Sequence, residues 1–212
     1  MRLDLAERLR CPYGHAPTPL VVVARETRDR DLREGFVGCP VCRREARIIA
    51  GHVRFDGLAS APECAATGAA PELERVIALL GLAEPEGAVL LTGRYAALAG
   101  ALAAATGVSV IVMHSDAARA SDGESGADVA AVHGSPAVVP FTDATFRGVA
   151  LEAGLAPAFV VDAVRATAIG GRVLADVSVA APPGLKELAR DDTEWVAARE
   201  AVGAIVELKR RI

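Results

Sequence analysis

The sequence predicts an α/β protein in two parts: a small cysteine-bearing β module, then a mostly parallel sheet of six or seven strands. Three observations point there. From Ala88 onward, short apolar and β-branched runs alternate with helical patterns, which calls for crossover helices and parallel pairing. Near the N-terminus, Cys39-Pro40-Val41-Cys42 makes a tight turn that presents two thiols to one point. And 212 residues with 52% hydrophobic content are enough for one ordinary domain plus a small module.

The module comes first. Cys39 and Cys42 need a facing turn to complete a four-ligand site, and CPYGH supplies Cys11 and His15, with Gly14 where a ribbon usually has its second cysteine. Histidine reaches farther than cysteine, and zinc accepts its ring nitrogen, so the four residues Cys11, His15, Cys39 and Cys42 form the expected metal set. His52 and Cys64 stand in reserve. Four protein ligands leave no open position for a water, which makes the expected zinc structural and not catalytic. Between the turns, LVVVARETRDRDLREGFVGC alternates as a hairpin with a charged loop, and ARIIAGHVRF follows as another strand. The pattern LAERLRCP, EGFVGCPVC and a closing strand resembles the small zinc ribbons that activate tRNA methyltransferases. That resemblance covers about the first quarter of the chain and implies a protein partner through the ribbon.

The stretch LASAPECAATGAAPE lacks periodicity and reads as a linker, giving a module over 1–57, a linker over 58–71 and a second domain over 72–212. PELERVIALLGL is an amphipathic helix, with Leu73, Val76, Ile77 and Leu80 on one face and Gly81 near its end. The expected series is then strand 88–92, helix 95–105, strands 108–113, 128–132 and 148–151, helix 155–169 and strand 172–179. A helix over Pro183–Glu200, bearing the single Trp195, and a last strand over 204–209 complete it.

LLGLAEPEGAVLLTG, VPFTDATFRGVALE and AVRATAIGGRVLADV together resemble class I S-adenosylmethionine-dependent methyltransferases over about residues 71–212. The resemblance implies a Rossmann-like fold with S-adenosylmethionine at the end of the first strand, and a closing hairpin for which only AIVELKRRI is at hand. The implied cofactor positions depart from the family. The glycine loop is Thr92-Gly93-Arg94-Tyr95-Ala96-Ala97, where Tyr95 would stand in the cofactor's way. The ribose acid is replaced by His114, with Asp116 two or three positions late. Ser135 stands where an Asp often flanks the adenine, and Glu152 reads either as a general base or as a solvated acid.

Two functional readings follow. One is a methyltransferase-fold protein with a degenerate pocket that acts as a non-catalytic partner or ligand binder. The other is methyl transfer through an atypical pocket to an unnamed acceptor. Neither half reads as a polyanion binder: residues 1–57 hold 11 Lys+Arg against 8 Asp+Glu and the remainder 12 against 19, with aromatics at 4%, so RNA contact is only a secondary expectation. MRLDLAERLR has no apolar core to serve as a secretory signal, so a cytoplasmic location is expected. The uncharged run Tyr95–Met113 is divided by Gly107 into an Ala-rich helix and a β-branched strand, not a membrane span.

Overall fold

The computed structural model describes residues 1–55, 58, 71–114, 128–134 and 137–201. In chain order its elements begin with α1 (Leu3–Ala6), β1 (Val21–Arg28), β2 (Asp31–Gly38), β3 (Glu45–Ile49) and β4 (His52–Arg54). Then come α2 (Leu73–Leu80), β5 (Ala88–Thr92), a 3-10 turn (Gly93–Leu98), α3 (Ala99–Thr106), β6 (Ser109–Met113) and β7 (Val129–His133). Last are β8 (Phe146–Leu151), α4 (Pro157–Ala166), β9 (Thr167–Asp176), β10 (Leu185–Arg190) and β11 (Glu194–Arg199).

All eleven described strands belong to one sheet, ordered β1-β2-β3-β4-β7-β6-β5-β8-β9-β11-β10. The strand count exceeds expectation because the cysteine module extends the main sheet, through a parallel pair that sets Val53 against Val132 and Arg54 against His133. The other seven strands, β5–β11, run third, second, first, fourth, fifth, seventh, sixth. A dinucleotide-binding sheet would run 3-2-1-4-5-6. Here β11, the last described strand, enters antiparallel between β9 and β10, which gives a Rossmann-like sheet of the methyltransferase type with a β10–β11 hairpin.

That hairpin corrects the expected helix over 183–200. Ala, Lys and Glu favour a helix locally, but tertiary burial overrides the preference. Asp191 caps the turn by accepting the N–H groups of Thr193 at 2.8 Å and Glu194 at 2.9 Å. Trp195 on β11 is fully buried, and its ring N–H donates to the Val179 carbonyl at 2.8 Å. The helix expected over 155–169 also stops early, at Ala166, because β9 starts at Thr167 beside Phe146 of β8. The strand expected over 204–209 and most of the 58–71 linker lie outside the described residues.

Alternating strand residues separate two cores. Val89, Leu91, Val110 and Val112 face α2 and α3, whereas Leu90, Ile111 and Val149 face α4 and the buried residues of the cysteine module. α2 ends at Gly81, whose φ of 66° makes the left-handed cap that glycine allows. The module's attachment is also polar. Arg10 grips both oxygens of Asp162 on α4, at 2.6 and 2.7 Å, and its own N–H donates to the Pro140 carbonyl. No helix among the described residues is long and apolar enough to cross a membrane.

Candidate functional site

Cys11, His15, Cys39 and Cys42 converge, with one ligand atom from each lying within 4.8 Å of the others. His15 Nε2 is 3.1 Å from Cys11 Sγ and 3.3 Å from Cys39 Sγ, and Cys11 and Cys42 sulfurs are 3.7 Å apart. Tetrahedral zinc, with sulfurs near 2.3 Å and nitrogen near 2.0 Å, separates its ligands by about 3.5–3.8 Å, so the donor set suits that ion. The tautomer agrees as well. His15 Nδ1 lies 2.7 Å from the Ala16 carbonyl, and as a donor there it leaves Nε2 free to ligate.

Local backbone builds this cluster. Arg43 takes a left-handed φ of 59°, so its N–H reaches the Cys39 carbonyl at 2.9 Å, while the Cys39 N–H donates to the Arg44 carbonyl. Burial pushes the Cys39 thiol up, but N–H groups of Cys42 and Val41 outweigh it and bring it down to about 6. Cys11, where burial dominates, is pushed up to about 12. One ready thiolate therefore sits beside a thiol that ionises once a cation offsets its burial. Tyr13 and the Arg44 guanidinium, 4.4 Å from its ring centre, flank the cluster. The reserve ligand His52 lies elsewhere, accepting the Ala131 N–H on Nδ1 at 2.9 Å across β4 and β7; Cys64 lies outside the described residues.

The turn after β5 is built differently. Gly93 has φ 52°, and its N–H donates to the His114 carbonyl at 3.1 Å. A Cβ placed on Gly93 would lie 2.4 Å from both Cβ and Cγ of Glu152, which leads out of β8. Thr92 ties the two strand ends by donating to the Ala150 carbonyl at 3.0 Å and accepting the Glu152 N–H at 2.9 Å. Glu152 is fully buried and not solvated, and its carboxylate accepts the main-chain N–H groups of Arg94 at 3.0 Å and Ala153 at 3.1 Å.

Tyr95 does not project into this space. It is fully buried in the α2/α3 core, and its hydroxyl donates to Glu194 at 2.6 Å. Burial, then the Glu194 carboxylate, hold that phenol protonated by raising its pKa. His114 likewise turns inward, its ring 4.6 Å edge-on to Phe159. Asp116 and Ser135 lie outside the described residues. Of the five expected cofactor residues, the three described ones, Gly93, Tyr95 and His114, are all buried. Arg94 is the residue the sequence reading missed. Its guanidinium lies 3.5 Å from each of Glu152, Asp176 and Glu194, three acids brought together by β8, β9 and β11. An arginine beside the glycine and an acid after β8 were the available signals, but Glu194 lay in a segment read as helix.

A cleft of about 290 Å³ opens at the opposite end of the sheet, between Arg2, Arg8, Glu86 and Ser109. Ligands of open α/β sheets bind at the carboxyl ends of the strands, so this cleft does not replace the turn.

No protein-family model matches the chain, and no curated protein matches it. Solved structures do. A putative methyltransferase from Bacillus halodurans shares 24% identity over 49% of each chain, with a TM-score of 0.38. A putative S-adenosyl-L-methionine-dependent methyltransferase from Methanococcus maripaludis shares 11% over 63% of this chain and 85% of its own, at 0.47. The YcgJ protein of Bacillus subtilis shares 19% over 49% of this chain and 48% of its own, at 0.40. The chain thus spans about half the length of the two Bacillus proteins. With scores this low, the methyltransferase-type fold stands on the strand order of the chain itself.

Proposed function

We propose that this chain is a methyltransferase-fold protein, stapled by a structural zinc in its ribbon, whose cofactor position is closed by its own side chains and which serves as a non-catalytic partner or ligand-binding protein. The observation that carries the reading is Glu152. Its stem fills the space over Gly93 and its carboxylate takes the Arg94 N–H, so the one glycine left in the loop is accounted for by a contact inside the chain. Methyl transfer works by aligning an acceptor with a bound sulfonium methyl, and it needs an open pocket at this turn. The ribbon would use Cys11, His15, Cys39 and Cys42 to hold zinc, which supplies folding energy there.

A second reading, methyl transfer through an atypical pocket, is favoured by one observation: β5 lies between β6 and β8, the switch point where α/β sheets bind ligands. Calorimetric titration of S-adenosylmethionine and S-adenosylhomocysteine into the zinc-loaded protein decides between them. No binding at 100 µM is the expected result; binding tighter than ~100 µM, about -5.5 kcal/mol, would overturn the closed-pocket reading.

The proposal extends to partners. An incoming protein would meet the ribbon's outer edge, where Val21 and Val23 of β1 are exposed. The adjacent groove sets Arg25 and Arg47 against Glu34 and Glu45, a balance that favours protein over RNA.

A further inference from the structure

We propose that the cleft between α1 and the first residues of β5 and β6 is a binding site for a free α-amino acid with a short apolar side chain, held as its zwitterion. The site lies at the opposite end of the strands from Gly93, so it stands or falls independently of the closed turn.

The cleft measures about 290 Å³, and both of its walls are pinned. On one side the Arg8 carbonyl accepts the Thr142 N–H at 2.8 Å, which ties the segment after α1 to the approach to β8. On the other, Arg147 donates to the Glu84 and Glu86 carbonyls at 2.9 and 3.0 Å, and the Gly87 carbonyl accepts the Ser109 N–H at 3.2 Å. Gly107 closes that rim, since a Cβ there would lie 3.0 Å from Pro85. A space with fixed walls is largely pre-formed, as small-molecule sites are.

Strand alternation decides what looks into it. Val110 and Val112 face α2 and α3, so Ser109 turns with Ile111 toward the cysteine module, beside its β5 partner Ala88. Ser109 is 7% exposed and lines the cleft, and its hydroxyl makes no hydrogen bond among the described residues. A hydroxyl so buried costs free energy unless the occupant of the cleft bonds to it. Two charges are open as well. Arg2 is taken by Asp4 at 3.2 Å, whereas Arg8 and Glu86, which come from opposite walls, form no ion pair among the described residues. One cation, one anion and a hydroxyl, set with apolar Leu5, Pro85 and Ala88, match a carboxylate, an ammonium and a short apolar side chain. A bare anion would meet Glu86 and a bare amine would meet Arg8, so the zwitterion is the better complement.

The test is an amide NMR titration of L-valine into the zinc-loaded full chain. Saturable shifts are expected at Gly87, Gly107 and Ser109, with a Kd of about 1 mM. Isovalerate, which is valine without its ammonium, and isobutylamine, which is valine without its carboxylate, are expected to bind more weakly by about fivefold or more. Ser109→Ala is expected to weaken valine about fivefold. Arg8 and Glu86 are exposed, so their alanine variants keep the fold and locate the two ends of the ligand. Glu86→Ala is expected to bind valine no better than isovalerate, and Arg8→Ala no better than isobutylamine. The proposal is overturned if no saturable shift appears at those amides below roughly 20 mM valine, if either analogue matches valine on wild type, or if Ser109→Ala binds valine as wild type does.

Discussion

The cysteine module and the turn after β5 each lack residues their patterns require, and the structure resolves the two losses in opposite ways. At CPYGH a glycine replaces the second cysteine, but His15 supplies the missing donor one position later and four ligand atoms converge within 4.8 Å. At LLTGRYAALAG two glycines are gone, and the remaining one is filled from β8 by Glu152. A metal site needs only donor atoms around a point, so chemistry can be restored by any side chain of sufficient reach. A backbone cradle needs empty volume, and an added side chain removes it.

The largest test of this contrast is Cys39→Ser. It is expected to abolish stoichiometric zinc and to cost on the order of 4 kcal/mol, read by elemental analysis alongside thermal unfolding followed through Trp195. Trp195 lies in β11, at the far side of the sheet from the module, so a lowered Trp195 transition shows that the shared core transmits the loss.

At the turn, Gly93→Ala is expected to cost about 3 kcal/mol in otherwise wild-type protein, because the new Cβ meets Glu152 and the left-handed φ is strained. Combined with Glu152→Gly, which removes both the Cβ and the Cγ that the new atom would meet, the same change is expected to cost about 1 kcal/mol, the backbone part alone. Equal costs in both backgrounds would show that Glu152 does not occupy the glycine's space.

Between the two regions sits His52, with Nδ1 accepting the Ala131 N–H. Burial, and then the neighbouring His133, lower its pKa from 6.5 to about 4. The folded state therefore binds fewer protons than the unfolded one between those values. Its contribution is complete above pH 6.5 and falls away as pH drops toward 4, by about 3 kcal/mol. Denaturant titrations across that window, compared with His52→Asn, are expected to show a flatter acid limb in the variant. The smallest effect is expected from Asp191→Ala, which removes the hairpin cap and the 2.5 Å contact to Arg75 at the cost of about 1 kcal/mol in a urea melt.

Much of the parallel sheet was legible from the chain, since strands 88–92, 108–113, 128–132 and 148–151 fall within a residue or two of β5 to β8. Their apolar residues are buried on both faces, and that leaves continuous runs in sequence. The hairpin β10–β11 was not legible. β10 is an exposed edge whose residues carry little strand signal, and β11 becomes a strand by pairing with β9 on one side and β10 on the other. The same error hid the site, because Glu194 reaches Tyr95 and Arg94 only from that strand.

By itself the sequence determined the donor types of the candidate metal site, the helix caps and the alternation that makes a parallel sheet, all of them consequences of local spacing. The tertiary structure decided that the module joins the main sheet at β4–β7, that His15 completes the cluster, and that Glu152 fills the turn beside Gly93. These depend on which distant residues share a volume, and excluded volume and burial act between residues far apart in the chain.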